Sequence, residues 1–240
     1  DNLPMFYSKG TIVTDQKNRP LRSFGGRNGR KLSKRQQGLI NHLLPKLRVK
    51  VPENGTVTPK ACFPEAREVW LEIGFGGGEH VSGQAGRHQD IGILASEVFS
   101  EGVAKLLAQI QDEDLSNIRL WPRDGRELVD RLAPGSIDRA FILFPAPWPK
   151  TRHHKRRLIQ PAFLDSLAGA MKRSGKVRFA TDVRSYADEA LERFLAHPRF
   201  TWLANTANDW RVAPKDHIAT RYQMKNLGDI EPVYFDFEVN

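Results

Sequence analysis

Short apolar segments alternate with longer amphipathic ones along most of the chain, from about residue 69 to its end. The short segments have the length and the branched side chains of buried strands, whereas the longer ones show the apolar spacing of helices. We predict strands at residues 69–73, 91–96, 118–121, 137–144, 177–180, 200–203 and 233–239. This order predicts an α/β fold with a doubly wound, mostly parallel, seven-stranded sheet, because a barrel would need more repeating units.

The predicted helices lie between these strands. The first begins near Glu79, the second carries Val103 and Ile110, and the others cover residues 127–132, 160–171 and 186–195. Apolar residues occupy every second position of the last strand, 233–239, which is a pattern expected of an antiparallel partner at the edge of the sheet.

Residues 1–33 precede this alternation and are rich in Gly, Arg, Lys, Asn and Ser, which predicts a flexible basic arm. Ser33 is the expected N-cap of a helix that extends to Leu47 and that Pro45 kinks or shortens. We therefore predict two parts, an arm at 1–33 and a single domain at 34–240 that begins with this helix.

The composition limits the partners and ligands of the chain. A net charge of +9 favours a polyanionic partner. Cys62 is the only cysteine, which excludes an intramolecular disulfide and a cysteine-based metal site, and the histidines lack the spacing of metal ligands. No apolar run has the length of a transmembrane helix, and the first 17 residues lack a signal-peptide core. We therefore expect a cytoplasmic protein with no membrane partner and no metal.

The segment 144–157 carries the strongest signal for a ligand. It follows a predicted buried strand and reads Phe-Pro-Ala-Pro-Trp-Pro-Lys-Thr-Arg-His-His-Lys-Arg-Arg. Three prolines in five residues stiffen the chain around Trp148, and five Lys or Arg residues with two His follow between Lys150 and Arg157. An aromatic ring beside a cationic cluster is suited to hold a nucleobase next to its phosphates. The alternative is a proline-rich surface loop with a solvated run of charge.

Acidic residues at the strand ends predict a cofactor site. Gly74 and Gly76 lie in a glycine-rich turn after the first strand, where the backbone can approach a ligand closely. Glu72 could bind the ammonium group of S-adenosylmethionine, Glu97 both ribose hydroxyls, and Asp124 the adenine amino group. A pyrophosphate-binding turn has no use for a carboxylate before the glycines, so these residues favour S-adenosylmethionine over a dinucleotide. Any one of these carboxylates could instead cap a helix.

Taken together, several motifs resemble the bacterial tRNA (guanine-N7-)-methyltransferase family: 72–78, Glu97, Asp124, 144–157, Thr181-Asp182 and Thr220-Arg221-Tyr222-Gln223. The resemblance implies a Rossmann-like class I methyltransferase domain, S-adenosylmethionine as methyl donor, tRNA as partner, and methylation of guanosine 46 in the variable loop. It implies a cofactor site at Glu72, Gly74, Gly76, Glu97, Asp124 and the position of Ala146. It implies substrate binding by Lys150, Asp182, Thr220, Arg221, Tyr222 and Gln223. It further implies RNA contacts from Arg152, His153, His154, Lys155, Arg156 and Arg157. We expect a monomer or a homodimer.

Two positions depart from the family pattern. Ala146 stands where the family has the aspartate that is taken as its active-site residue, and Gln223 stands where it has glutamate. Guanine N7 carries a lone pair and no proton, so no general base is needed, but a carboxylate would offset positive charge that grows on the purine. With Asp182 as a candidate substitute, we expect a weakened enzyme.

Three alternatives stay open at this point. The chain could be a tRNA-binding protein that has lost catalysis, which the missing carboxylates motivate. It could also be a methyltransferase for another RNA or for a small molecule. Finally, Thr181 and Asp182 could merely cap the helix that is expected to begin at Ser185.

Overall fold

The computed structural model describes residues 31–52 and 55–240, and these residues form a seven-stranded sheet with helices on both faces. The strands are β1 (Glu68–Ile73), β2 (Ile91–Ser96), β3 (Ile118–Trp121), β4 (Ile137–Leu143), β5 (Met171–Thr181), β6 (Phe200–Trp202) and β7 (Val233–Val239). Their order in the sheet is β3-β2-β1-β4-β5-β7-β6. The predicted basic arm lies outside the described residues except for its last three.

The central strand β1 pairs in parallel with β2 on one side and with β4 on the other. The pairs β2–β3 and β4–β5 are also parallel, whereas β7 runs antiparallel to both β5 and β6. The predicted mostly parallel α/β sheet with an antiparallel last strand is therefore confirmed. In such a sheet a ligand crevice opens at the carboxyl ends of the two strands where the order reverses, which are β1 and β4 here.

The prediction that the last strand lies at an edge is wrong. β7 lies between β5 and β6, so that β6 forms the edge. Asp236, a polar residue between the apolar ones of β7, accepts hydrogen bonds from Arg178 of β5, with Nε at 2.8 Å and Nη2 at 2.9 Å. The polar side chain that made β7 look like an edge strand is therefore hydrogen-bonded to a neighbouring strand and does not depend on solvent alone.

The helices are α1 (Lys34–His42), α2 (Leu44–Leu47), α3 (Pro59–Cys62), α4 (Glu79–Arg87), α5 (Ser100–Asp112), α6 (Gly125–Val129), α7 (Pro161–Ala170), α8 (Arg184–Ala196), α9 (Asn208–Arg211) and α10 (Arg221–Met224), with a 3₁₀ helix at Thr151–Arg156. Helices α1, α4 and α5 pack on one face of the sheet, and α6, α7 and α8 pack on the other. Within the described ranges, no helix combines the length and the apolar character needed to cross a membrane.

Local signals explain where several elements begin and end. Ser33 and Gln36 form a reciprocal capping box, which confirms the predicted start of α1, and the helix breaks at Leu43 before Pro45. β5 begins six residues before the predicted strand; the sequence pattern missed this part because Lys172, Arg173 and Ser174 are exposed and polar. The predicted helix 160–171 consequently ends at Ala170, and the one predicted at 127–132 lies at 125–129 instead.

Candidate active site

The carboxyl ends of the central strands bring most of the predicted site residues together. Arg221 Nε lies 3.2 Å from Glu79 Oε1, just after the glycine-rich turn. The ring of Tyr222 lies 5.7 Å from that of Phe144 after β4, and its hydroxyl lies 3.4 Å from Asp182 Oδ1 after β5. The short helix α10 therefore lies across the ends of β1, β4 and β5, although it is remote from all three in sequence.

The glycine-rich turn presents open backbone next to a buried carboxylate. Gly74 and Gly76 have φ angles of 76° and 57°, and no atom lies within 4 Å of the place where a Cβ would be. One oxygen of Glu97 accepts the N–H of Gly76 at 2.9 Å, and the other accepts those of Val98 and Phe99 at 2.7 and 2.9 Å. Burial raises the pKa of this carboxyl above its usual value, against the effect of the backbone N–H groups.

Glu72 is buried at the end of β1 and pairs with a histidine that the sequence did not point to. Its Oε2 lies 2.6 Å from Nδ1 of His80, whose side chain is fully buried in α4. Gln84 Nε2 lies 3.2 Å from the other ring nitrogen, which assigns the proton to Nδ1. The pair fixes one oxygen of Glu72. In the part of the chain that is described, no cluster of three or more His, Cys, Asp or Glu side chains could hold a metal ion.

Asp124 takes the helix-cap position that was the alternative for any one of the acidic residues. Its Oδ1 accepts the backbone N–H of Arg126 at 3.0 Å, and its Oδ2 accepts Nη2 of the same residue at 2.6 Å. It therefore starts α6. Nε of Arg126 also lies 3.1 Å from each oxygen, so Arg126 occupies most of the roughly four acceptor positions of this carboxylate, and the predicted adenine contact stays a prediction.

The proline-rich loop after β4 has an unusual backbone. Phe144 and Trp148 have φ angles of 51° and 46°, a left-handed conformation that costs about 1–3 kcal/mol for residues other than glycine. Ala146 lies exposed between them. The guanidinium of Arg156 lies 5.1 Å from the Trp148 ring, and the His153 ring contacts it edge-on at 5.9 Å. The chain's own side chains therefore contact the ring that was expected to receive a base.

The cations after this loop differ in exposure. Lys150, Arg152 and Lys155 are exposed, and His153, His154 and Arg156 are partly buried. Arg157 is fully buried, with no accessible side-chain surface. The prediction that Arg157 contacts RNA is therefore corrected by the structure, because a guanidinium enclosed by protein cannot reach a phosphate.

Asp182 faces the site, whereas Thr181 has a local role. Asp182 is 3% exposed, and its Oδ1 faces the hydroxyl of Tyr222. Burial, followed by the nearby Asp182 carboxylate, raises the pKa of the Tyr222 hydroxyl. The Oγ1 of Thr181 accepts the N–H of Val183 at 3.2 Å, at the start of α8. The N-cap of α8 is Val183, whose side chain makes no capping hydrogen bond, so the capping alternative is wrong for both Thr181 and Asp182.

Gln223 belongs to a hydrogen-bonded group that the sequence did not reveal. Its Oε1 lies 2.7 Å from His217 Nε2, and its Nε2 donates to the Tyr234 hydroxyl at 2.6 Å. Thr220 starts α10 by accepting the N–H of Gln223 at 3.3 Å. Burial lowers the pKa of His217, which favours a neutral ring at pH 7. An amide suits this place because it donates to one neighbour and accepts from the other.

Asp216 fixes this segment to the sheet. Its Oδ1 lies 2.7 Å from Arg178 Nη1, and its Oδ2 lies 2.6 Å from Arg139 Nη2. Burial alone would raise the pKa of Asp216, but its hydrogen bonds and ion pairs with the two arginines lower it to about 2. The carboxylate thus stays charged at neutral pH and holds the neighbouring His217 in position.

We expect Asp216→Asn to lower the free energy of unfolding by about 1–3 kcal/mol at pH 7. The value lies at the low end for a broken ion pair because the Asp216 side chain is 35% exposed. Urea denaturation measures the change, with Asp188→Asn as a control, since Asp188 is exposed and forms only a 4.0 Å pair with Arg184. Equal effects of the two substitutions would contradict the role given to Asp216.

Comparison with known proteins identifies similar chains. Residues 66–234 match a protein family described as "Putative methyltransferase". A tRNA (guanine-N(7)-)-methyltransferase of Hyphomonas neptunium is 50% identical, covering 91% of this chain and 100% of its own length. The proteins of the same name from Caulobacter vibrioides and Rhodospirillum rubrum are 47% and 42% identical, covering 91% and 90% of this chain and 95% and 87% of their own.

Solved structures with a similar fold are more distant in sequence. The aminoglycoside resistance methyltransferase NpmB1 has a TM-score of 0.53 at 14% identity, over 76% of this chain and 92% of its own. The 16S rRNA (adenine(1408)-N(1))-methyltransferase from Catenulisporales acidiphilia has a TM-score of 0.52 at 14% identity, over 80% and 96%. At this identity the likeness concerns the fold alone, and it confirms the predicted Rossmann-like methyltransferase fold.

Proposed function

The chain belongs to the tRNA (guanine-N(7)-)-methyltransferase family, and we propose that it transfers a methyl group from S-adenosylmethionine to N7 of guanosine 46 in the tRNA variable loop. One observation carries this proposal beyond the family. The glycine-rich turn with Glu97, the buried Asp182 beside Tyr222, and the cationic segment 150–156 all meet at the carboxyl edge of the sheet. The residues that we propose for the donor, the base and the phosphates therefore lie along one edge of the sheet.

The residues around the turn fit S-adenosylmethionine, which supplies an electrophilic methyl group on a sulfonium. The open space at Gly74 and Gly76 lets a ligand approach the backbone. Glu97 keeps acceptor capacity for ribose hydroxyls after binding its backbone N–H groups. His80 holds one oxygen of Glu72, which leaves the other for the ammonium group, and Asp124 lies at the strand end proposed for the adenine amino group.

In this reaction the protein has to position the two reactants and to stabilise the charge that develops on the purine. Holding two reactants in line can contribute about 7–11 kcal/mol to the barrier reduction. We assign the positioning of the guanosine to Lys150 and to α10 with its cap: Thr220, Arg221, Tyr222 and Gln223. Asp182 is the buried carboxylate next to this group, and we propose that it stabilises the positive charge that grows on the purine.

The exposed cations should bind tRNA phosphates. We expect Arg152→Ala combined with Lys155→Ala to flatten the slope of log affinity against log salt concentration by about 1–2 units, at about 0.7–0.9 per phosphate contact. Filter binding at several salt concentrations measures the slope. The matched control is Arg173→Ala combined with Lys176→Ala, which removes the same charge from the exposed amino end of β5. Equal slopes for the two double variants would show that tRNA binding depends only on the net charge of the protein and would contradict phosphate contacts from Arg152 and Lys155.

The target position is tested with a pair of unmodified tRNA transcripts and labelled donor. We expect methylation of the natural transcript and a loss of at least about 90% of it when guanosine 46 is replaced by adenosine. Equal methylation of both transcripts would move the target to another nucleotide. Tight binding of donor and tRNA without transfer to either transcript would leave a tRNA-binding protein and overturn the catalytic proposal.

A further inference from the structure

The loop between β4 and the 3₁₀ helix needs support from outside itself. Its backbone is left-handed at Phe144 and at Trp148, and neither residue is a glycine. Non-glycine residues with a left-handed backbone persist only where the surrounding structure holds them, and they concentrate at ligand-binding sites. The segment between them contains Ala146, the position at which the family carries its active-site aspartate. What holds this loop therefore bears on how the substrate is positioned.

The buried side chain of Arg157 supplies that support. Its Nε donates to the carbonyl of Pro147 at 2.8 Å, in the peptide group directly before Trp148. Its Nη1 donates to the Ser185 carbonyl at 2.9 Å, and its Nη2 donates to Ser185 Oγ at 2.8 Å. Glu189 forms an ion pair with Nη1, and no side-chain surface of Arg157 is accessible. One guanidinium thus joins the loop to the first turns of α8.

The neighbouring contacts reinforce the same attachment. The guanidinium lies 4.8 Å from the ring centre of Tyr186, also on α8. The Tyr186 hydroxyl accepts the N–H groups of Leu158 and Ile159 at 3.0 and 3.3 Å, immediately after Arg157. The chain is therefore fixed to α8 on both sides of the cationic 3₁₀ helix. A lysine could not replace these contacts, because only a planar fork donates in several fixed directions at once.

We propose that Arg157 is a positioning residue, which fixes the Pro147–Trp148 peptide to α8 and thereby places the residue at 146 and Lys150 against the bound guanosine. This inference rests on the proposed function for its kinetic consequence, but the anchoring itself does not. It also separates Arg157 from the exposed cations beside it. Arg152 and Lys155 bind the polyanion, and Arg157 holds the surface on which they lie.

The test compares Arg157→Lys and the milder Ser185→Ala with the unsubstituted protein. We expect kcat to fall about 10–100-fold for Arg157→Lys and about 3–10-fold for Ser185→Ala, since misplacement by about 1 Å can cost two decades. Trypsin should cut the segment 150–157 about ten times faster in both variants, because the freed loop opens more often. The salt dependence of tRNA binding should change by less than about 0.3 units, because no phosphate contact is lost.

Arg152→Ala is the comparison variant, since it removes a neighbouring exposed charge. It should lower the salt slope by about 0.7–0.9 units and leave the rate of tryptic cleavage elsewhere in the segment as it was. The proposal is overturned if Arg157→Lys lowers the slope like Arg152→Ala, or if it leaves cleavage unchanged. It is also overturned if the folded variant merely melts earlier with an unaltered kcat. If the unsubstituted protein transfers no methyl group, the proposed function fails, while cleavage and the salt slope still decide the anchor.

Discussion

Replacing Ala146 with aspartate is expected to raise the rate constant for methyl transfer about 10²–10³-fold at saturating tRNA and donor. Ala146 is exposed in the loop after β4, between two prolines, in a backbone that Arg157 holds. A carboxylate there would accept hydrogen bonds from the guanine edge and would offset the positive charge that grows on the purine. One such charge-assisted contact at a developing charge contributes about 2–4 kcal/mol.

The control for charge is Ala146→Asn, which has the same size and a hydrogen-bonding carbonyl but no charge. We expect it to recover no more than about a tenth of the gain of the aspartate variant. Single-turnover kinetics with labelled donor measures both. If neither variant changes the rate although donor and tRNA bind, then position 146 does not approach the reacting guanine. If no turnover appears even in the aspartate variant, the proposal that this loop takes part in catalysis is wrong.

Glu97→Gln is expected to raise the dissociation constant of the donor about 10–150-fold, or about 1.5–3 kcal/mol. The buried carboxylate accepts three backbone N–H groups, one of them from Gly76 in the donor turn. A glutamine would turn its own NH₂ toward one of these donors, so it would lose acceptors for the ribose and also disturb the turn. Isothermal calorimetry with S-adenosylmethionine measures the change.

Glu101→Gln is the matched control, because this carboxylate lies four residues further along, partly exposed, and pairs with Lys105 on the helix surface. We expect it to alter donor affinity by less than about twofold. The affinity for tRNA should be the same, within about twofold, in both variants. If Glu97→Gln lost tRNA binding and kept donor binding, the assignment of Glu97 to the donor site would be contradicted.

Patterns that are local in sequence predicted much of this molecule. The period of apolar residues identified the strands, and the parallel order then placed Glu72, Glu97 and Asp124 at one edge of the sheet. Ser33 was recognisable as a cap because its partner Gln36 lies within one turn. The resemblance supplied the segment 220–223, whose position over the glycine-rich turn no local pattern could have shown.

Contacts between distant segments could not be predicted in this way. His80 meets Glu72 across a turn, and Asp216 meets Arg139 and Arg178 from a loop far along the chain. Arg157 looks like its exposed neighbours in sequence, and its partners Ser185 and Glu189, 28 and 32 residues later, make it a buried anchor. The role of a charged residue depends on its partner, and partners that tertiary packing brings together cannot be predicted from a single sequence.

The most direct test of the central claim is methyl transfer measured on the same sample as donor binding, with two tRNA transcripts. One transcript is unmodified, and the other carries 7-deazaguanosine, which lacks N7. We predict that the protein binds S-adenosylmethionine and transfers about one methyl group to each unmodified tRNA and none to the deaza transcript, because the lone pair on N7 is the nucleophile. Equal transfer to both transcripts, or donor binding with no transfer to either, would contradict the assignment of this protein as a tRNA guanine-N7 methyltransferase.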